Sequence, residues 1–302
     1  MRSVWFCVAF FIGWAAAPAQ AGTLRFCDQP VELSAAQQDR LFRLAGIIRK
    51  ELEASGHGVA LISRSGLNLR RMGVRYSHAG LSLRANAVAP WSVRQLYYAC
   101  DEQRPRIFDQ GLSAFVLGFD DVSIGYVSVV LLPEREAAAL ENAALDNRRA
   151  LALLNPIYSA NAYAFGARYQ NCNQWVVEML AAAWGQLNDR EDLRAQTQHW
   201  LRDQGYLPSV FAVALRPLLW LSRFIPFVHL DDHPSEDIDN KLLRVSMPAA
   251  IEDFIQATVP AATRLEFCHT DQHVIIRHGW RPIAEGCRPD DLDKLDTVID
   301  LN

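Results

Sequence analysis

The 302-residue sequence contains no internal repeat, no low-complexity tract and no excess of positive charge. Its 30 basic and 34 acidic side chains give a formal net charge of -4. This balance argues against nonspecific nucleic-acid binding, which depends on clustered Lys and Arg. With 50% apolar residues, the chain can bury the core of one large domain, or of one domain and an extension.

The sequence also lacks an apolar run suited to crossing a membrane. Residues 1–21 have the positive end, the short apolar stretch and the small-x-small ending of a cleaved signal peptide. A retained membrane anchor is the less favoured alternative. The second apolar stretch, 209–230, is interrupted by two arginines and two prolines. We therefore expect an exported, periplasmic protein whose mature chain begins at Gly22.

Cysteine is scarce, and its number in the mature chain is odd. One of the 6 cysteines lies in the predicted signal peptide, which leaves five. Cysteines tend to pair in an oxidising compartment, so at least one of these is free or bound to another molecule. Cys268 and Cys287 flank a predicted hairpin and are the first expected pair. Cys27 and Cys100 are the second, although sequence does not fix connectivity, and Cys172 is left over.

The spacing of apolar residues predicts a mixture of helices and strands. Residues 34–55 have helical spacing, with Ser34 as the N-cap. A block rich in β-structure is expected over 78–132. Further helices are expected at 133–154, 192–202 and 251–257. The acidic stretch 289–302 is expected to be a loose tail.

One cysteine stands at the start of a predicted helix. In Gln170-Asn171-Cys172-Asn173-Gln174-Trp175, Cys172 takes the first helical position and Asn171 the N-cap. Free N–H groups and the positive end of the helix dipole there favour thiolate over thiol. A buried helical cysteine is often only a small hydrophobe, but the odd count in an exported chain favours a reactive thiol. We interpret Cys172 as the candidate nucleophile.

A thiol nucleophile needs a partner that accepts its proton and returns it to a leaving group, and imidazole titrates in the suitable range. His78 has the most site-like setting, because it begins a predicted strand, 78–84, on its polar face. A lone histidine is otherwise more often a surface or satisfied core residue. His229-x-x-x-His233, with two aspartates between, is an alternative metal motif, weakened by its position in a proline-bounded loop.

The order of these residues, His78 before Cys172, resembles the circularly permuted papain-like fold. This is the arrangement of the permuted relatives of NlpC-type peptidases and of lecithin–retinol acyltransferase. The resemblance covers roughly residues 60–185 and rests on Ser77-His78-Ala79-Gly80-Leu81 and the cysteine motif. The whole chain resembles an uncharacterised bacterial family of exported proteins, domain of unknown function 2145.

The resemblance implies an α+β fold in which an antiparallel sheet packs on the Cys-bearing helix. This domain would cover residues 22–205, and a C-terminal extension with an apolar helical segment and a hairpin would cover 206–302. Cys172 would be the nucleophile and His78 the general base.

The relatives place a third polar residue on the strand after the histidine, where it orients the imidazole. If residues 85–90 connect the two strands, Tyr98 falls opposite His78. Gln95 is chemically the more usual orienter, by accepting from Nδ1, but it requires a shift of register. No His, Asp or Glu occupies the expected place, and here the sequence departs from the family pattern.

The function implied is that of an exported thiol hydrolase or acyltransferase that needs no cofactor. It would cleave an amide or ester in the cell envelope, in a peptidoglycan peptide or in a lipid or lipoprotein acyl group. The helix-start N–H groups would meet the oxyanion. Residues 209–230 are interpreted as a buried helix pair or, alternatively, as a peripheral membrane contact. A non-catalytic envelope binding protein on the same scaffold and a redox thiol at Cys172 are the competing hypotheses.

Overall fold

A computed structural model describes most of the chain after the predicted signal peptide. The described residues are 33–188, 192–213, 225, 227–290 and 296–301. Within these ranges, no helix has both the length and the apolar character needed to cross a bilayer. The predictions for residues 1–21, Cys27 and 214–224 fall outside the described residues.

The described chain is a mixed α+β structure built on one large antiparallel sheet. The helices are α1 (Ala35–Ala54), α2 (Leu112–Val116), α3 (Glu134–Leu145), α4 (Asn147–Ala152), α5 (Cys172–Trp184), α6 (Leu193–Asp203), α7 (Ser235–Asp239) and α8 (Pro248–Thr258). The strands are β1 (Val59–Arg64), β2 (His78–Leu83), β3 (Ser92–Ala99), β4 (Arg104–Gln110), β5 (Gly125–Leu131), β6 (Ser209–Ala212), β7 (Leu242–Val245), β8 (Thr263–His269), β9 (His273–His278) and β10 (Asp296–Asp300).

Eight strands form the large sheet in the order β10-β9-β8-β5-β1-β2-β3-β4, and β6 pairs separately with β7. Helices cover both faces of the sheet. Leu61 and Leu81 pack with α3 and α5 on one face, whereas Ile62 and Val93 pack with α1 and α2 on the other. Because the central strand β1 is covered on both sides, all six of its residues are buried.

Most predicted elements are confirmed, and three are corrected, the third in the C-terminal tail. Helix α1 begins after Ser34, which forms a capping box with Gln37. The single helix predicted over 133–154 divides in two, because the Asp146 side chain accepts from Arg148 N at 2.8 Å and caps a new helix. The apolar segment predicted from residue 209 begins as strand β6.

The prediction of a loose acidic tail is wrong for residues 296–300. They form strand β10, which pairs with β9 at the edge of the sheet. The buried Arg277 guanidinium donates to both carboxylate oxygens of Asp296 at 2.6 Å, so the acid is an anchor for the strand.

The C-terminal strands continue the main sheet. Strand β8 pairs antiparallel with β5, so sheet pairing joins the two parts that the sequence separated at residue 206. The predicted disulfide Cys268–Cys287 is confirmed, with its Cα atoms 5.6 Å apart. Cys100 is also disulfide-bonded, while Cys27 lies outside the described residues, so their pairing stays a prediction.

Candidate active site

Helix α5 begins at Cys172, as the sequence predicts. Its N-cap is Asn171, whose side-chain oxygen accepts from Gln174 N at 2.7 Å. The helix is buried from Asn173 to Ala183 and packs against β2 and β3. Cys172 is a free thiol and is half-buried, because it lies at the end of the helix that faces a cavity.

The thiol lies among hydrogen-bond donors. The backbone N–H groups of Asn173 and Cys172 and the Tyr158 hydroxyl are hydrogen-bond partners of the thiol and act to lower its pKa, as does the nearby Arg64 cation. Burial acts in the opposite direction and is the largest effect, so the pKa of Cys172 is raised to about 11. The helix-start N–H groups therefore act in the predicted direction, but burial outweighs them and favours the neutral thiol.

His78 occupies the first position of β2 and is held by Gln95 on β3. Its Nε2 is hydrogen-bonded to Gln95 Oε1, and Gln95 Nε2 in turn donates to Gln110 Oε1 at 2.7 Å. An amide oxygen only accepts, so the ring proton lies on Nε2 and the lone pair on Nδ1. The prediction that Gln95 accepts from Nδ1 is corrected to Nε2.

The register of β2 and β3 differs by one residue from the predicted one, and this shift is what places Gln95 within reach of the ring. Strands β2 and β3 pair from Leu81 with Arg94 to Leu83 with Ser92, and this register continued to His78 reaches Tyr97. Gln95 is thus a diagonal neighbour of His78 on the same face.

Gly80 permits this close approach of β3. A Cβ atom at Gly80 would lie 2.5 Å from Val93 Cγ1 and 3.3 Å from Gln95 Cβ. The glycine beside His78 therefore makes room for the strand that carries its hydrogen-bond partner.

Tyr98, the other predicted orienter, lies on the opposite face of β3 from Gln95. Its ring packs 5.1 Å from that of Tyr158 and 4.5 Å from that of Phe227. Tyr98 also lines the cavity. The structure therefore places it in an aromatic wall beside Tyr158.

Asn173 connects the start of α5 to the strand that carries His78. Its Oδ1 accepts from Ala79 N at 3.0 Å, and its Nδ2 donates to Ser77 O at 3.2 Å. These backbone groups flank His78, at the end of β2 where pairing with β3 has stopped. The side chain thus takes the place of a missing strand partner and fixes His78 relative to Cys172.

Arg64 is the positive charge beside both candidate catalytic groups. It is paired with His78 across β1 and β2, and its guanidinium lies 5.3 Å from the Phe115 ring centre. Burial and then Arg64 lower the pKa of His78 to about 3. At neutral pH these shifts favour a neutral thiol and a neutral imidazole.

Cys172 and His78 open into the same cavity of about 460 Å³. Among the described residues, the His78 ring is hydrogen-bonded to Gln95, and the Cys172 thiol is hydrogen-bonded to Tyr158. The two candidate catalytic residues are therefore related by the cavity that both line. Arg64 is the one charged side chain among the described lining residues. Most of the others are apolar or aromatic, namely Leu67, Leu69, Met72, Leu96, Tyr97, Tyr98, Tyr158, Phe211, Val213, Leu243, Val245 and Met247.

The sequence profile of a protein family described as an uncharacterized protein conserved in bacteria (DUF2145) matches residues 51–255. The chain belongs to the DUF2145 family. Neither the curated proteins nor the solved structures contain a match to it. The DUF2145 match contains Arg64, His78, Gln95, Tyr158 and Cys172, whereas strands β8 to β10 and the Cys268–Cys287 disulfide lie beyond it.

The histidines that suggested a metal motif in this DUF2145 chain have structural partners. His229 stacks on Tyr169 with ring centres 4.3 Å apart, and His233 Nε2 donates to Asn161 O at 2.8 Å. Across the described ranges, no group of three or more His, Cys, Asp or Glu side chains is placed to hold a metal ion.

Sequence reasoning missed Tyr158 and Arg64. Tyr158 comes 14 positions before Cys172, in a segment whose pairing with Gln170 turns it back onto the helix start. Arg64 reaches the site only through the register of β1 and β2. Neither has a local sequence signal, because both depend on contacts between distant segments.

Proposed function

We propose that this protein is a thiol-dependent acyl hydrolase or acyltransferase that acts on an ester or amide of the cell envelope. The observation that carries the proposal is that Cys172 and His78 line one cavity, with helix-start N–H groups and the Tyr158 hydroxyl around the sulfur. Nucleophile, proton acceptor and oxyanion donors are the parts that acyl transfer needs.

A circularly permuted papain-like fold is part of the same proposal. In its support, β2 with His78 precedes α5 with Cys172 in the chain, and α5 packs against β2 and β3 of an antiparallel sheet. Gln95 occupies the place of the polar residue that orients the histidine.

The neutral ligand-free site implies that proton transfer accompanies attack. The Cys172 sulfur bonds to the carbonyl carbon while its proton passes to His78 Nδ1, and the C=O electron pair becomes an oxyanion. The N–H groups of Cys172 and Asn173 donate to that oxyanion. Collapse breaks the bond to the alcohol or amine, which takes the proton from Nδ1. Water, or an acceptor alcohol or amine, then attacks the thioester and releases the thiol.

The cavity favours an acyl chain as the group that is bound. Apolar and aromatic side chains form most of its wall, and Arg64 is the one described lining residue with a charge. Such a wall suits a hydrocarbon chain better than a charged peptidoglycan peptide. We therefore place a lipid or lipoprotein acyl group first and a cell-wall peptide second.

A periplasmic location is also proposed. The signal-peptide pattern of residues 1–21 supports export, and the Cys268–Cys287 disulfide fits an oxidising compartment.

A non-catalytic binding protein is the second candidate, and the protonation of the site favours it. A thiol with a pKa of about 11 and an imidazole with a pKa of about 3 leave a neutral, mostly apolar cavity that can hold a ligand without reacting. In that case Cys172 would be part of the wall only.

Release of p-nitrophenol from esters of increasing chain length distinguishes the two candidates. An acyl hydrolase should lose at least 100-fold in rate on Cys172→Ala and on His78→Gln, because nucleophilic and general-base catalysis are each removed. Asn142→Ala, at an exposed position of α3, is the matched control. Equal rates for wild type and Cys172→Ala, with saturable binding of the ester product acid, would instead support the binding protein.

A further inference from the structure

We propose that the mouth of the cavity docks on an anionic lipid surface, through residues 66–72 and the outer side of β6. The inference rests on the proposed function for the nature of the substrate, an acyl lipid that enters from the surface. Docking itself requires no turnover.

Two apolar side chains of the first segment line the cavity and are also open to solvent. Leu67 is 45% exposed and Met72 is 54% exposed. Single exposed apolar residues are ordinary on a protein surface. These two instead stand together where an apolar cavity opens, with Leu69 between them in the lining.

Strand β6 forms the other side of the opening. Phe211 and Val213 line the cavity, and the exposed Ala212 lines it as well. Val210, which lies on the same side of β6 as Ala212, is 50% exposed. The opening therefore lies between two segments that present apolar side chains to solvent.

The first segment also carries positive charge. Arg70 and Arg71 belong to a short 3₁₀ turn, Arg70–Met72, and both are exposed. The Asp121 carboxylate lies near enough to Arg70 to interact with its charge, although the hydrogen bonds from Ser123 lower the pKa of Asp121 more than Arg70 does. Arg71 is exposed to solvent. Exposed apolar side chains beside arginines match the acyl and headgroup layers of an anionic bilayer surface.

The arrangement also shortens the route of a lipid substrate. An acyl chain that leaves the bilayer between residues 66–72 and β6 meets the apolar wall at once and reaches Cys172 within the same cavity. The hydrocarbon is then never exposed to bulk water, so the cost of hydrating its CH₂ groups is avoided.

The test is co-sedimentation of the full mature chain with vesicles. Wild type should bind phosphatidylglycerol vesicles at least 10-fold more tightly than phosphatidylcholine vesicles, and added salt should weaken the binding. Leu67→Asp with Met72→Asp, and separately Arg70→Gln with Arg71→Gln, should each reduce binding by roughly 5-fold or more. The matched controls are Phe42→Asp on α1 and Arg135→Gln on α3, both exposed and distant in sequence from the opening.

Equal binding of all these variants, or no preference for phosphatidylglycerol, would overturn the proposal. A wild-type dimer that dissociates in the Leu67→Asp variant would also overturn it, because a second copy would then cover the opening. Cys172→Ala separates this inference from the proposed function. If Cys172→Ala binds vesicles and also hydrolyses esters like wild type, docking stands and the thiol mechanism fails. If wild type and Cys172→Ala both fail to bind vesicles, and only wild type hydrolyses esters, docking fails alone.

Discussion

Asn173 is hydrogen-bonded to the backbone on both sides of His78. Its side chain accepts from Ala79 N at 3.0 Å and donates to Ser77 O at 3.2 Å. The residue next to the candidate nucleophile thereby positions the candidate base. Asn173 is buried, as is its hydrogen bond to Ala79 N, while its bond to Ser77 O is partly buried beside the cavity.

Replacement of Asn173 by Ala should therefore affect both stability and the site. One buried and one partly buried backbone group lose their partner, and we expect the free energy of unfolding to fall by about 2–4 kcal/mol. Ester hydrolysis should fall further than stability explains, since His78 is released from its position. Chemical denaturation and initial rates at a temperature where the variant is folded measure the two effects. Asn142→Ala should change neither. An Asn173→Ala variant with wild-type rates would show that the two Asn173 hydrogen bonds have no role in the site.

The cysteine and its helix start could be predicted because the signal is local. Asn171 as the N-cap, Cys172 at the first position and the odd cysteine count are all contained in the sequence. The mixed α+β class and the strand at His78 follow from residue periodicity in the same way. The thiolate could not be predicted correctly, because the pKa depends on how deeply the folded chain buries the sulfur.

The sequence does not reveal which residues are brought into contact by strand register. The choice between Gln95 and Tyr98 depended on a one-residue difference in register and on which face of β3 each occupies. Strands β8 to β10 belong to the large sheet, although the sequence placed them in a C-terminal extension. They join it because β8 pairs with the edge of β5, and the local sequence pattern does not predict this pairing.

The raised thiol pKa predicts slow alkylation of the ligand-free protein. With a pKa of about 11, Cys172 should react with iodoacetamide at pH 7.5 roughly 100-fold more slowly than an unfolded-peptide thiol, because the thiolate is the reactive form. The rate should still be rising at pH 10. Mass spectrometry of the Cys172 peptide follows the reaction, and a rate that levels off below pH 8 would contradict this assignment.

The Tyr158 hydroxyl should contribute to that pKa. Tyr158→Phe removes a donor to the sulfur, so the pKa of Cys172 should rise further and alkylation at pH 9 should slow by roughly 3- to 10-fold. Tyr169→Phe is the control, since its hydroxyl is bonded to Asp231. If the two variants react alike, Tyr158 does not act on the thiol.

His78 should make folding stability dependent on pH below neutrality. Its pKa is lowered to about 3 in the folded state, so the unfolded chain binds the proton more readily between about pH 6.5 and 3. Stability contributed by the neutral ring is therefore present above pH 6.5 and is lost as the pH falls, with a slope of at most about 1.4 kcal/mol per pH unit. Denaturation of wild type and His78→Gln between pH 3.5 and 7 measures this slope. His199→Gln, at an exposed position, should keep the wild-type slope, and a His78→Gln slope equal to wild type would refute the assignment.

The C-terminal disulfide should stabilise the loop before His78. Arg75 donates to Ile283 O at 2.8 Å and pairs with Glu285 at 2.6 Å, just before Cys287. Replacing Cys268 and Cys287 by Ser should lower the free energy of unfolding by about 3 kcal/mol. Urea denaturation of the double variant checks this, and an unchanged midpoint would show that the disulfide is dispensable.

The most direct test of the central claim is intact-protein mass spectrometry after brief exposure to the p-nitrophenyl ester of a medium-chain acid. The account predicts one added acyl group, located on Cys172 by peptide mapping, that forms quickly in wild type, at least 100-fold more slowly in His78→Gln, and not at all in Cys172→Ala. An acyl group spread over lysines, or one on Cys172 that forms no faster in the folded protein than in the denatured chain, would contradict it.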